Sequence, residues 1–188
     1  MVLTGSGSDY ASAKLAVYML GEVGLTAKTR YAYSENEEIP MKTATSMATT
    51  AVRLSDGSVY LLYIGGDVLG QKTFISQKLN SRFLYKEISK NKYAVYSWIQ
   101  FDDEVKGYDK ATKTVMNIPG YIDGHKIEVI AAEFTRGCIG VSKVTIPNTV
   151  TEIKRGAFVY TKRIQSISIS SSVKTIAADV FSGNNCLK

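Results

Sequence analysis

The groups that could carry chemistry are few. His125 is the only histidine among 188 residues, which excludes any metal site or proton relay needing two imidazoles. A nucleophile, whether Cys138, Cys186 or a serine, would have to be activated by that one ring, and no G-x-S-x-G stretch is present. Two cysteines are too few for a four-cysteine zinc site or a disulfide framework. Asp102-Asp103-Glu104 could bind calcium or act as an acid–base pair, but no regular spacing of oxygen ligands follows. The run is expected to be a solvated turn. Gly5-Ser6-Gly7-Ser8 could cradle an anion on backbone N–H groups. It lacks a Walker lysine and a preceding strand, so a leader or helix cap is expected. No catalytic residue, metal ligand or cofactor-binding residue is assigned on these grounds, and the chain is expected not to be an enzyme.

Composition points the same way. The chain is 45% hydrophobic and 21% charged, which is room for a real core and argues against global disorder. Net charge is +6, but only Lys154-Arg155 and Lys162-Arg163 are paired basics, so no stripe suits a specific nucleic-acid contact. No apolar run approaches the length of a membrane-spanning helix. Met1-Val2-Leu3-Thr4-Gly5-Ser6 has no basic and apolar leader pattern. The chain is therefore expected to be made without export, or to lack its leader. Of 12 tyrosines, Tyr31, Tyr33, Tyr60, Tyr63, Tyr93 and Tyr96 fall on predicted strands, where packing on a sheet face is their expected role.

The elements that must position any site come next. Residues 9–21 predict a helix, with Ala11, Leu15, Tyr18 and Met19 at helical spacing, Ser8 or Asp9 as cap and Gly21 as stop. Strands are predicted at 29–33, 50–54 and 58–64, the last two joined at Asp56-Gly57, where glycine accepts positive φ. A polar loop is predicted at 34–38. Further strands are predicted at 73–76, 83–88, 93–101 and 114–118, with a turn at 109–112. These readings make residues 1–112 one α+β module.

From about residue 115 the chain resembles itself. Val129 to Phe134, Ile153 to Phe158 and Ile176 to Phe181 align, the phenylalanines 24 and 23 residues apart. Val144/Ile167, Ile146/Ile169 and Val150/Val173 are each 23 apart, and Val141, Ile164 and Leu187 form another row. One such coil cannot bury its own apolar face, whereas stacked coils serve as each other's core. Phe134, Phe158 and Phe181 are therefore expected in one buried file. Residues 143–146 and 166–169 are expected to pair in parallel. The two cysteines would lie beyond disulfide reach.

Val144-Thr145-Ile146-Pro147-Asn148-Thr149-Val150 and Ile153 through Phe158 resemble the BspA-like leucine-rich repeat family, whose pattern runs I-P-x-x-V-x-x-I-x-x-x-A-F. Residues 118–127 resemble its longer opening repeat. Ser170-Ser171 departs from it where the middle repeat has proline, and one extra residue stands between Phe134 and Val141. The resemblance implies a short leucine-rich-repeat solenoid over 113–188, and hence an α+β chain with a strand-rich N-terminal module over 1–112 that anchors, oligomerises or caps it. It also implies a non-catalytic macromolecule-binding or surface-attachment protein, with a protein or surface glycan as partner. Cell-surface or secreted placement follows if a leader is missing, and virion association otherwise. Lys143, Thr145, Ser166 and Ser168 are expected to form the contact surface. The last coil lacks a following strand, which suggests a truncated array or a homo-oligomer in which a neighbouring subunit supplies the cap. The alternatives are a structural virion component, such as a fibre or decoration protein, and a hydrolase fragment. The last rests on a faint likeness of 52–67 to the strand-and-turn region of lipase-like hydrolases.

Overall fold

The computed structural model describes residues 9–30, 49–66, 72–101 and 114–187, apart from 137, 139, 160 and 162. The Gly5–Ser8 segment, the loop at 34–38, Tyr31 and Tyr33, the carboxylate run at 102–104 and the turn at 109–112 lie outside the described residues. The described chain is strand-rich with a single helix. It divides into two compact units, Met1–Asn80 and Ser81–Lys188. This division does not coincide with a change of module after residue 112.

In the first unit, helix α1 (Asp9–Glu22) precedes strands β1 (Thr26–Arg30), β2 (Thr49–Arg53), β3 (Val59–Gly66) and β4 (Lys72–Leu79). The helix ends in a Schellman arrangement: Leu25 N–H donates to Leu20 O and Gly24 N–H to Gly21 O. Gly24, at φ +78°, takes the left-handed position. It is the stop signal, not Gly21, because it is the residue that must leave the helix with positive φ. Of the residues at helical spacing, Tyr18 and Met19 are exposed. The four strands form one antiparallel sheet in sequence order. The hairpin at Asp56-Gly57 is present, with Gly57 at φ +82° and Asp56 Oδ1 accepting from Ser58 N–H at 2.8 Å. Two hydrogen bonds from Ser58, side chain and then backbone, hold the Asp56 carboxyl below its ordinary range.

The second unit holds β5 (Phe83–Ser89), β6 (Lys92–Trp98), β7 (Thr114–Asn117), β8 (Tyr121–Ile122), β9 (His125–Ile130), β10 (Val141–Thr145), β11 (Glu152–Ile153), β12 (Ser166–Ser168) and β13 (Thr175–Ile176). Two parallel ladders run through it. In one, β6, β9, β11 and β13 follow each other, and β5 closes the β6 edge by antiparallel pairing. Val95, Ile130, Ile153 and Ile176 stand in one register row. In the other, β7, β10 and β12 align Met116, Val144 and Ile167. The predicted parallel pairing of the strand at 143–146 with that at 166–169 is thus present. β8 and β9 form a tight hairpin through Asp123-Gly124, both at positive φ, as a two-residue turn of this hand requires.

The aromatic file runs through the core. Phe134 and Phe158 have no exposed surface and meet edge to face at 6.0 Å, and Phe158 stacks on Phe181 at 5.9 Å. Phe181 is only partly buried, a correction to three equally buried rings. The file also extends upstream, because Phe83 stacks on Phe134 at 6.3 Å and on Trp98 at 6.1 Å. A residue of positive φ recurs once per rung at Glu133, Gly156 and Asp179, each 23 positions on. A polar column accompanies the rings. Thr161 Oγ1 donates to Phe158 O at 2.7 Å and lies 2.9 Å from Thr135 Oγ1. One rung later, Asn184 Nδ2 donates to Phe158 O at 2.7 Å and to Phe181 O at 3.0 Å.

Candidate interaction surface

Alternation of side chains along a strand fixes what β7, β10 and β12 present to each side. Met116, Val144 and Ile167 turn inward, the first two fully buried. Lys143, Ser166 and Ser168 are exposed and Thr145 is half-buried. The register sets Lys143 opposite Ser166 and Thr145 opposite Ser168, so the four singled-out residues do meet on one strand face. Two residues not foreseen there complete it, since Val115 pairs with Lys143 and Asn117 with Thr145. The face is thus two short rows, Val115–Lys143–Ser166 and Asn117–Thr145–Ser168. Val115 is 49% exposed, a large fraction for a valine on a strand.

β7 escaped the periodic reading because Met116 and Val144 are 28 residues apart, not 23. The β8–β9 hairpin occupies the excess. A bulge between Val141 and Lys143 adds one residue to β10. It turns Ser142 aside, and its hydroxyl donates to Thr114 O at 3.3 Å. The chemistry of the face is that of hydroxyls, one amide and one ammonium. Lys143 has no ion-pair partner among the described residues.

The other ladder carries a different outer surface, whose charges pair with each other. Glu152 accepts from Lys154 at 2.7 Å and from Lys92 at 3.1 Å, and Lys126 meets Glu128 at 3.3 Å. Hydrogen bonding from Lys154, then from Lys92, holds the Glu152 carboxyl below its ordinary range against partial burial. His125 packs on Tyr93, centroids 4.3 Å apart, and on Tyr85 at 5.6 Å. Burial, aided by the hydrogen bond to Asp123 Oδ2 at 3.1 Å, raises the Tyr85 phenol above its usual value. The imidazole therefore belongs to a ring cluster at the base of the hairpin. Neither cysteine forms a disulfide: Cys138 is buried, its thiol donating to Trp98 O at 3.7 Å, and Cys186 is exposed. Among the described residues no three histidine, cysteine or carboxylate side chains gather as metal ligands, and no helix is long and apolar enough to cross a membrane.

Comparison with known proteins bears on the second unit. No curated protein matches the chain. A leucine-rich repeat protein from Bacteroides ovatus, known from its crystal structure, is similar at 26% sequence identity with a TM-score of 0.47. The likeness covers 58% of this chain and 28% of that one, so the chain spans little more than a quarter of that structure. The family described as the BspA type leucine rich repeat region matches residues 116–188 in six copies. With its parallel ladders and its rows 23 residues apart, the segment from 116 to 188 is a BspA-type leucine-rich repeat region.

Proposed function

We propose that this is a non-catalytic binding protein whose C-terminal repeats wind as a short leucine-rich-repeat solenoid and offer the β7–β10–β12 face to a macromolecule at a cell surface. The observation that carries the reading is the register of Lys143 with Ser166 and of Thr145 with Ser168. It gathers polar groups, three of them exposed, from two successive repeats onto one strand face. Pre-ordered strands lose little freedom on binding, which favours such a surface over a loop. Leucine-rich repeats generally mediate protein binding, and BspA-type members are often surface-exposed. The partner is a protein or a surface glycan, both of which hydroxyl, amide and ammonium groups can engage. The segment that precedes the repeats anchors, oligomerises or caps them.

The test is direct. The labelled chain is measured on a glycan array and against a panel of purified extracellular proteins, beside the doubly substituted Lys143→Glu, Ser166→Glu chain. Saturable binding that the substitutions weaken at least tenfold, with unchanged thermal unfolding, supports the reading. Absence of saturable binding on both panels, or equal binding by the variant, overturns it.

A further inference from the structure

The β7–β10–β12 face carries a charge that the described residues of the second unit do not answer. Lys143 stands exposed in the central strand, with Val115 on one side and Ser166 on the other. The row beside it is Asn117–Thr145–Ser168, so hydroxyls and an amide flank the ammonium, and none of the six residues is acidic. The described carboxylates of this unit are engaged elsewhere. Glu128, Glu133, Glu152 and Asp179 are held by lysine or arginine, Asp123 by the Tyr85 hydroxyl and Glu87 by the Asn91 N–H. Serine and threonine hydroxyls and the asparagine amide both donate and accept, as sugar hydroxyls do. Val115, about half exposed, adds an apolar surface for the C–H face of a sugar ring. The face has no aromatic ring and no arginine, the side chains on which protein interfaces concentrate their binding energy.

We infer that this face binds a carboxylate-bearing polysaccharide, one in which a uronic acid alternates with an uncharged, hydroxyl-rich sugar. The inference rests on the binding role proposed above and names its partner. Lys143 donates a charge-assisted hydrogen bond to the carboxylate, and its neighbours in the two rows take the sugar hydroxyls. Strands stand about 4.8 Å apart, so each row of three spans about 10 Å along the stacking direction. A chain lying along the Lys143 row meets one ammonium with an uncharged group on either side of it. That distribution fits a polymer whose carboxylates are separated by neutral sugar. A densely sulfated chain would set further anions against Val115 and Ser166, where no cation meets them.

Titration calorimetry of the full chain at low salt reads the outcome. The probes are a hyaluronan oligosaccharide, in which uronic acid and an N-acetylated sugar alternate, and its carboxyl-reduced counterpart. The intact oligosaccharide is expected to bind saturably and about tenfold more tightly than the reduced one, since the charged contact goes with the carboxylate. Lys143→Gln is expected to bind both equally weakly. Lys174→Gln, which removes the same charge at an exposed position just before β13, keeps the full preference, and both variants retain the wild-type unfolding transition in Trp98 fluorescence. No binding of the intact oligosaccharide, equal binding of the two probes by the wild type, a preference that survives Lys143→Gln, or tighter binding of heparin than of hyaluronan overturns the inference. The binding role outlives those results where a neutral glycan or a purified protein binds the wild type and not the Lys143→Glu, Ser166→Glu chain. Binding to no glycan and no protein overturns both.

Discussion

The rings of Phe134 and Phe158 meet edge to face with centroids 6.0 Å apart, in a core where neither has any exposed surface. Each ring fills space that its own rung cannot fill, so truncation leaves a cavity between rungs. Phe158→Ala is expected to cost about 3–5 kcal/mol. Phe181→Ala is expected to cost about half as much, because its ring is already partly in water and less apolar surface is lost. Urea unfolding followed through Trp98, the single tryptophan and a buried neighbour of Phe83, measures both.

Val95 stands opposite Ile130 in parallel register, and Phe83 lies on Phe134. The repeats therefore lean on β5 and β6 for their first rung. A fragment spanning 81–188 is expected to give a dispersed amide NMR spectrum and cooperative unfolding. A fragment starting at residue 113 is expected to give neither, since it uncovers Ile127, Val129 and Ile130, all buried in the chain. Comparable spectra from the two would show that the hairpin is dispensable.

How much of this was legible in the residues follows from spacing. Ile130, Ile153 and Ile176 recur every 23 positions, as do Val144 and Ile167, and the ladder and the contact face follow from that period. Val95 lies 35 residues before Ile130, and Met116 lies 28 before Val144, so their membership in the same ladders has no period to announce it. Both became visible only through backbone pairing. The strand at 83–88 was legible as a strand, but alternation cannot say that β5 turns antiparallel onto a parallel ladder. The exposure of Tyr18 and Met19 was equally hidden, because helical spacing marks a shared face and does not say whether the sheet covers it.

Thr161 shows what the polar column contributes. Its hydroxyl donates to Phe158 O and lies within hydrogen-bonding distance of Thr135 Oγ1, all inside the core. Thr161→Val keeps the shape and removes the hydroxyl. The variant is expected to lose about 1–2 kcal/mol. Thr161→Ser, which retains the hydroxyl and drops a methyl, is expected to cost about 1 kcal/mol. A valine variant as stable as wild type in thermal unfolding would show that the column serves packing alone.

Glu152 ties β11 to β6 through Lys92 and carries a second bond from Lys154. Because these bonds lower its folded-state pKa, its contribution to stability is fully present above the unfolded value, near 4.5. It is lost as the pH falls through the lower folded value. Glu152→Gln is expected to cost no more than about 1 kcal/mol at neutral pH, since the group and both lysines are partly solvated. Below pH 4.5 the gap between variant and wild type is expected to close. Thermal unfolding of the two chains across pH 3 to 7 decides the matter, and a gap that stays constant through that range would mean the carboxylate charge plays no part in holding the two strands.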